Sequence, residues 1–329
     1  MSDAAVAFED SLGLFTVYED GSVRRASPSS LFDVPVIDGG SVQWKDYTFD
    51  PQNNLSLRLY KPTSPNNNNN NSNKLPVIYN FHGGGFCIGS RADPISHNCC
   101  CRLASRLQAV VVSPDYRLAP ESRLPAAVED GYAALKWLQD QAEGRGDEGD
   151  GWLGDVADFG NVFVCGESAG GNIAHNLAVR LGSGSPELAP VEVKGYVLLA
   201  PFFGGTVRTR SEAEAPKDVM LNLELVDWFW RLSVPVGDTT DHPLINPFGP
   251  SSKDLEPVAL DPVLVVVGGS DLLKDRAKVY AEKLTEMGKK IEYVEFEGQQ
   301  HGFFTIDPEA EPAKKLMGVI KRFIAENSS

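Results

Sequence analysis

The chain has little cysteine, little histidine, a deficit of positive charge and no long apolar run. Five cysteines occur in 329 residues, three of them consecutive at Cys99, Cys100 and Cys101. An odd count with that spacing does not suit a disulfide framework and fits a reducing compartment, most simply the cytosol. No stretch reaches the ~20 apolar residues of a membrane-spanning helix. Met1 to Asp20 carries Asp3, Glu9, Asp10, Glu19 and Asp20 without a basic, apolar leader, so no secretion signal is expected. Lysine and arginine total 30 against 45 acidic residues, a net charge of −15, which disfavours nucleic acid and anionic membrane surfaces as partners. The patterns G-x-x-x-x-G-K-[ST] and H-E-x-x-H are missing, which removes nucleotide hydrolysis and zinc proteolysis. His97 beside three cysteines invites a metal reading. Neighbours on a helix point about 100° apart, however, so consecutive thiols cannot close on one ion, and no metal site is expected there.

What is present is a pattern of alternating strands and helices. The spacing predicts strands over Pro76–Phe81, Ala109–Ser113, Val162–Cys165, Val193–Ala200, Pro262–Val267 and Ile291–Phe296. Between and after them it predicts helices over Ser96–Leu107, Pro125–Gln141, Asn172–Leu181, Lys274–Met287 and Ala313–Glu326. Apolar strands in that order mean a mostly parallel sheet covered by helices on both faces, an α/β architecture in a single domain over 1–329. Leu55–Tyr60 alternates as a half-buried edge strand does. Residues 1 to 45 read as irregular, with short helical pieces around Phe8 to Phe15 and a turn at Asp20-Gly21. Asn66 to Asn71 reads as a mobile surface loop. Residues 204–250 are too long for a simple connection. With the aromatic run Trp228-Phe229-Trp230 they read as an inserted helical cap, in which Trp228 and Phe229 are candidates for lining a substrate pocket.

Chemistry concentrates at Gly166-Glu-Ser-Ala-Gly170, between an apolar strand and an amphipathic helix. A G-x-S-x-G on such a turn is a nucleophile elbow, with Ser168 at its tip. Of the five histidines, three follow Ser168. His175 falls about 10 Å along the elbow helix, and His242 lies in the cap. His301 follows the strand Ile291–Phe296 on a loop at its carboxyl end, where active sites gather in open α/β sheets. His301 is therefore the candidate general base. The strand before it runs into Gly268-Gly-Ser-Asp271, which makes Asp271 the candidate acid that holds the imidazole; Asp275 is a weaker one. Upstream, Phe81-His-Gly-Gly-Gly-Phe86 follows a strand. Gly83, Gly84 and Gly85, with the amide of Ala169, are candidate oxyanion-hole donors, and which of the glycines donate stays open. His82 is expected to brace that loop, and Asp115 and Arg117 to pair with each other.

These residues resemble the hormone-sensitive-lipase-like group of α/β-hydrolases. The matches are His82-Gly-Gly-Gly85, Asp115-Tyr-Arg-Leu-Ala-Pro-Glu121, Gly166-Glu-Ser-Ala-Gly-Gly171, Asp271 and His301. Tyr18-Glu-Asp-Gly-Ser-Val-Arg24 and Asp241-His-Pro-Leu-Ile-Asn-Pro247 are similar to plant carboxylesterases of that group. The resemblance implies hydrolysis of carboxylic esters without metal or cofactor, and a cap built from about 1–45 and 204–250. Small, uncharged esters are the expected substrates, since the surface is acidic and no membrane anchor is visible. The alternatives on the same fold are a small-molecule hormone receptor, such as the gibberellin receptors that lack the triad histidine, or a dehydratase.

Overall fold

A computed structural model describes residues 7–11, 13–26, 34, 36, 40–63, 74–145 and 152–328. Three short strands come first: β1 (Ala7–Ser11), β2 (Phe15–Tyr18) and β3 (Val23–Arg25), an antiparallel sheet of their own. Then follow β4 (Val42–Asp50), β5 (Leu55–Pro62), β6 (Leu75–Phe81), α1 (Pro94–Leu107), β7 (Val110–Pro114) and α2 (Ala126–Ala142). The chain continues with β8 (Ala157–Glu167), α3 (Ala169–Leu181), β9 (Val193–Leu199), α4 (Arg210–Ala213) and α5 (Leu223–Ser233). It ends with β10 (Val263–Gly268), α6 (Lys274–Glu286), β11 (Ile291–Phe296), α7 (Phe303–Ile306) and α8 (Glu311–Asn327).

The main sheet has eight strands in the order β11-β10-β9-β8-β6-β7-β5-β4. Its pairs from β11 to β7 are parallel, and β5 and β4 continue it antiparallel. Period-2 alternation sends successive side chains of each strand to opposite faces. Val77, Tyr79, Val110, Val112, Val162 and Val164 pack with α2, α3 and α6. Ile78, Val111, Phe163, Cys165, Val197 and Leu264 pack with α1 and α8 on the other side. Both faces are therefore covered, which is why these strands read as continuous apolar runs. The chain leaves β6 toward β7, then crosses back to β8 on the other side of β6. Connections diverge there, and the loops after β6 and β8 border the crevice that such a reversal opens.

Two expectations for the first sixty residues are corrected. Helical pieces were expected around Phe8 to Phe15, but the segment forms strands. The hairpin between β2 and β3 closes on Gly21, which has a φ of 81° and whose amide donates to the Tyr18 carbonyl at 2.9 Å. The β-branched and aromatic residues Phe15-Thr-Val-Tyr18 favour extended backbone over helix. Leu55–Tyr60 is not an edge strand: β5 pairs with β7 on one side and β4 on the other. The edge is β4, whose mostly exposed side chains hide the signal. The expected elements from β6 onward occur within a few residues of their ends. The asparagine run Asn66–Asn71 lies outside the described residues. Among the described residues, no helix is long and apolar enough to cross a membrane.

Candidate active site

Ser168 is the pivot between β8 and α3. Its φ of 53° and ψ of −114° are strained for a residue with a side chain, and such strain persists only where surroundings enforce it. The enforcement is measurable. A Cβ on Gly166 would stand 2.1 Å from the Gly170 carbonyl oxygen, and one on Gly170 would stand 2.1 Å from that of Phe81. The Ser168 amide donates to Leu199 at 2.8 Å, and its carbonyl accepts from the Phe202 amide at 2.9 Å.

The loop after β6 curls beside this turn. Gly84 has a φ of 112° and Gly85 one of 58°, both in the left-handed region. A Cβ on Gly83 would be 3.4 Å from the Cβ of Ser168, so loop and nucleophile are neighbours. The amides of Gly83, Gly84, Gly85 and Ala169 have no hydrogen-bond acceptor among the described residues. His82 lies under this loop. Its Nδ1 donates to the Gly83 carbonyl at 2.7 Å, and its ring stacks on Tyr116 at 4.3 Å. The Tyr116 hydroxyl in turn donates to the His82 carbonyl at 2.9 Å.

Two loops bring the other polar groups. Gly268-Gly269 carries Asp271 out of β10, where a Cβ on Gly268 would collide with the Gln299 carbonyl at 2.3 Å. The loop from β11 returns His301 above it. His301 Nδ1 and Asp271 Oδ2 are 2.7 Å apart. Oδ1 of Asp271 accepts the Leu273 amide at 2.9 Å, so one carboxylate orients the imidazole and closes the turn into α6. Burial disfavours a charged imidazole, but the charge and hydrogen bond of Asp271, helped by Glu167, outweigh it and hold His301 above its ordinary value. Asp275 faces away and accepts the Ser211 amide at 2.7 Å.

Ser168, His301 and the three loop glycines line one cavity of about 400 Å³. Ser168 and His301 share its wall without a direct hydrogen bond. Phe229 contributes to the wall and packs over Gly85, where a Cβ would meet its ring at 2.3 Å. Leu225, one helical turn away on the same face of α5, joins it. Trp228 does not: it points about 100° around the helix and packs on Phe15 at 3.9 Å between ring centroids. Trp230 stacks on Phe202 at 3.8 Å.

The structure separates one expected pair. Asp115 binds Arg91, accepting its amide at 2.8 Å as well as its guanidinium. Arg117 instead forks onto the buried carboxylate of Asp130, with Nη2 at 2.7 Å from Oδ1. Asp130 offers both oxygens to the planar guanidinium, a geometry the next-but-one residue cannot reproduce. His175 is buried, with Nδ1 2.9 Å from the Tyr280 hydroxyl. Sequence reasoning missed Glu167, Asp93, Leu221 and Leu225 in the cavity wall. Glu167 occupies a variable position of the elbow pattern, and Asp93 reads as an ordinary residue before a helix, so neither carried a motif signal.

Residues 78–305 match the family described as alpha/beta hydrolase fold. A gibberellin receptor of Arabidopsis thaliana is 38% identical over 270 residues, covering 79% of this chain and 74% of that one. A 3-O-acetylpapaveroxine carboxylesterase of Papaver somniferum is 38% identical over 285 residues, covering 85% and 89%. Among solved structures, an esterase of Pyrobaculum calidifontis superposes with a TM-score of 0.71 at 31% identity, covering 92% of this chain and 89% of that one.

Proposed function

The chain belongs to the α/β-hydrolase family, and on that premise we propose that it is a carboxylic ester hydrolase working through Ser168, His301 and Asp271. The observation that carries the reading is the 2.7 Å contact between His301 Nδ1 and Asp271 Oδ2 on the wall that Ser168 shares. With Nδ1 donating to Asp271, Nε2 of the neutral imidazole carries the free lone pair. The chemistry requires the Ser168 hydroxyl to approach that nitrogen.

Ser168 Oγ attacks the ester carbonyl carbon, and its proton passes to His301 Nε2. The carbonyl oxygen becomes an oxyanion that accepts from the amides of the Gly83–Gly85 loop and Ala169. Those donors are fixed before reaction, and losing one costs about 3 kcal/mol of barrier height. His301 then gives its proton to the departing alkoxide, leaving an acyl group on Ser168. Water attacks that ester while His301 takes the water's proton, and collapse releases the acid and restores the hydroxyl. No step calls for a metal or a cofactor.

Small, uncharged esters rather than emulsified fat are the substrates of this reading, supported by a cavity of about 400 Å³. The cap of about 1–45 and 204–250 is part of the proposal, supported by the contacts of Trp228 with Phe15 and of Phe229 with the glycine loop. A cytosolic setting suits its five free, buried cysteines.

The second reading is a hormone receptor that closes over its ligand without turnover, favoured by the likeness to a gibberellin receptor. Incubation with p-nitrophenyl acetate separates the two. The hydrolase releases p-nitrophenol catalytically and loses that activity in Ser168→Ala. Release that is no faster than in buffer, or that survives Ser168→Ala, overturns the hydrolase reading.

A further inference from the structure

Three charged side chains share the cavity wall with His301: Arg25, Asp93 and Glu167. The guanidinium of Arg25 is already engaged. It donates to both carboxylate oxygens of Glu121 at 2.8 and 2.7 Å, and to the carbonyls of Cys87 and Ala119. The two carboxylates have no such partner. Among the described residues neither forms an ion pair with a lysine or arginine. Asp93 is held by the amide and hydroxyl of Ser90, each at 2.9 Å. Burial lowers the nearby His82 imidazole from its ordinary value, against the pull of the Gly83 carbonyl, Asp115 and Asp93. Glu167 makes no side-chain hydrogen bond to a described residue and lies against the backbone beside His301. A Cβ on Gly302 would be 3.3 Å from its Oε1.

Both carboxyls sit above their usual range. For Asp93 burial is the main cause, opposed by Ser90 and His82; for Glu167 it is burial again, with His301 opposing and Asp271 adding to it. Part-buried carboxylates with no lysine or arginine beside them, only titratable imidazoles, are unfavourable in a fold. A positive group entering the cavity relieves that penalty at both. The protein's net charge of −15 also draws cations toward the surface from which they enter.

We propose that this cavity prefers esters bearing a positive charge, a protonated amine or a quaternary ammonium, whose cation offsets Asp93 and Glu167. The inference rests on the hydrolase reading and deepens it: uncharged esters are cleaved, cationic ones of the same shape are cleaved faster, and anionic ones are refused.

Two isosteric pairs test it. Acetylcholine against 3,3-dimethylbutyl acetate places the charge on the alcohol. The p-nitrophenyl esters of 4-(trimethylammonio)butyrate and 5,5-dimethylhexanoate place it on the acyl group. In at least one pair, kcat/KM favours the cation by about tenfold or more at low ionic strength, the scale of electrostatic steering. That ratio falls toward one in 1 M salt and in the Asp93→Asn, Glu167→Gln double variant. The single variants and the salt series give the same readout if the double variant does not fold. Ratios near or below one in both pairs, or a ratio indifferent to salt and to both substitutions, overturn the inference. The neutral esters judge the parent reading separately. Their cleavage by the native protein and not by Ser168→Ala upholds the hydrolase whatever the ratio. Failure to cleave any of them defeats both.

Discussion

Asp271 holds two partners at once, the His301 imidazole through Oδ2 at 2.7 Å and the Leu273 amide through Oδ1 at 2.9 Å. Asp271→Asn keeps the shape and can keep the Leu273 contact through its carbonyl oxygen. It then presents an NH₂ group to Nδ1 and selects the wrong imidazole tautomer. The expected result is a fall of about 10⁴ in kcat with p-nitrophenyl esters and a nearly unchanged melting temperature. A loss of less than tenfold would show that Asp271 does not orient the base.

The pH profile follows from the same contact. His301 accepts the serine proton only when neutral, so activity rises as pH rises through its folded value. Burial pulls that value down, but Asp271 and then Glu167 hold it above ordinary. The acid limb of kcat/KM therefore has its midpoint above the ~6.5 of a free imidazole. Glu167→Gln moves the midpoint down. A native midpoint below the free value, measured with an uncharged ester, contradicts the assignment.

The three loop glycines are not equivalent. An alanine at Gly84 drives its Cβ to 2.1 Å from the Ile88 carbonyl oxygen, and one at Gly85 to 2.3 Å from the Phe229 ring, both at positive φ. At Gly83 the nearest atoms are 3.4 Å away, an ordinary contact. Gly84→Ala and Gly85→Ala should each lower kcat by about 10²–10³, since the donors shift, and lower the melting temperature. Gly83→Ala should melt close to the native protein. Thermal melts and ester kinetics on the three variants check the ranking.

Acid stability carries a signature of its own. Burial pushes His175 down to about 3. Between that value and the ~6.5 of the unfolded chain, the unfolded state binds the extra proton. Stability is thus intact above pH 6.5 or so and is lost as pH falls, by up to about 1.4 kcal/mol per pH unit from this one group. His175→Gln, which does not titrate there, should flatten the slope of unfolding free energy between pH 6 and about 4. Equal slopes in urea melts of the two proteins would refute the burial argument.

The legible parts of the sequence were those where local chemistry and tertiary role coincide. Gly166 and Gly170 announce the elbow because only glycine fits between Ser168 and the neighbouring carbonyls. Strands such as Val110–Pro114 announce themselves because both faces are buried. β4 escaped because an exposed edge strand has no apolar alternation to read. The partners of Asp115 and Arg117 escaped because they come from Arg91 and Asp130, on separate segments. Asp93 and Glu167 escaped for a related reason: a carboxylate's meaning depends on which cations are within reach, and that is a property of the assembled cavity.

Arg25 gives the amino-terminal ribbon a hold on the glycine loop as well as a place in the cavity wall. Its guanidinium ties β3 to Cys87, in the glycine-loop segment, and to Ala119, whose amide donates to Phe86 at 2.8 Å. Trimming the head of the protein would remove this staple along with Leu14 from the cavity wall. Shortened versions made for convenience would then report a slacker, wetter enzyme than the native one.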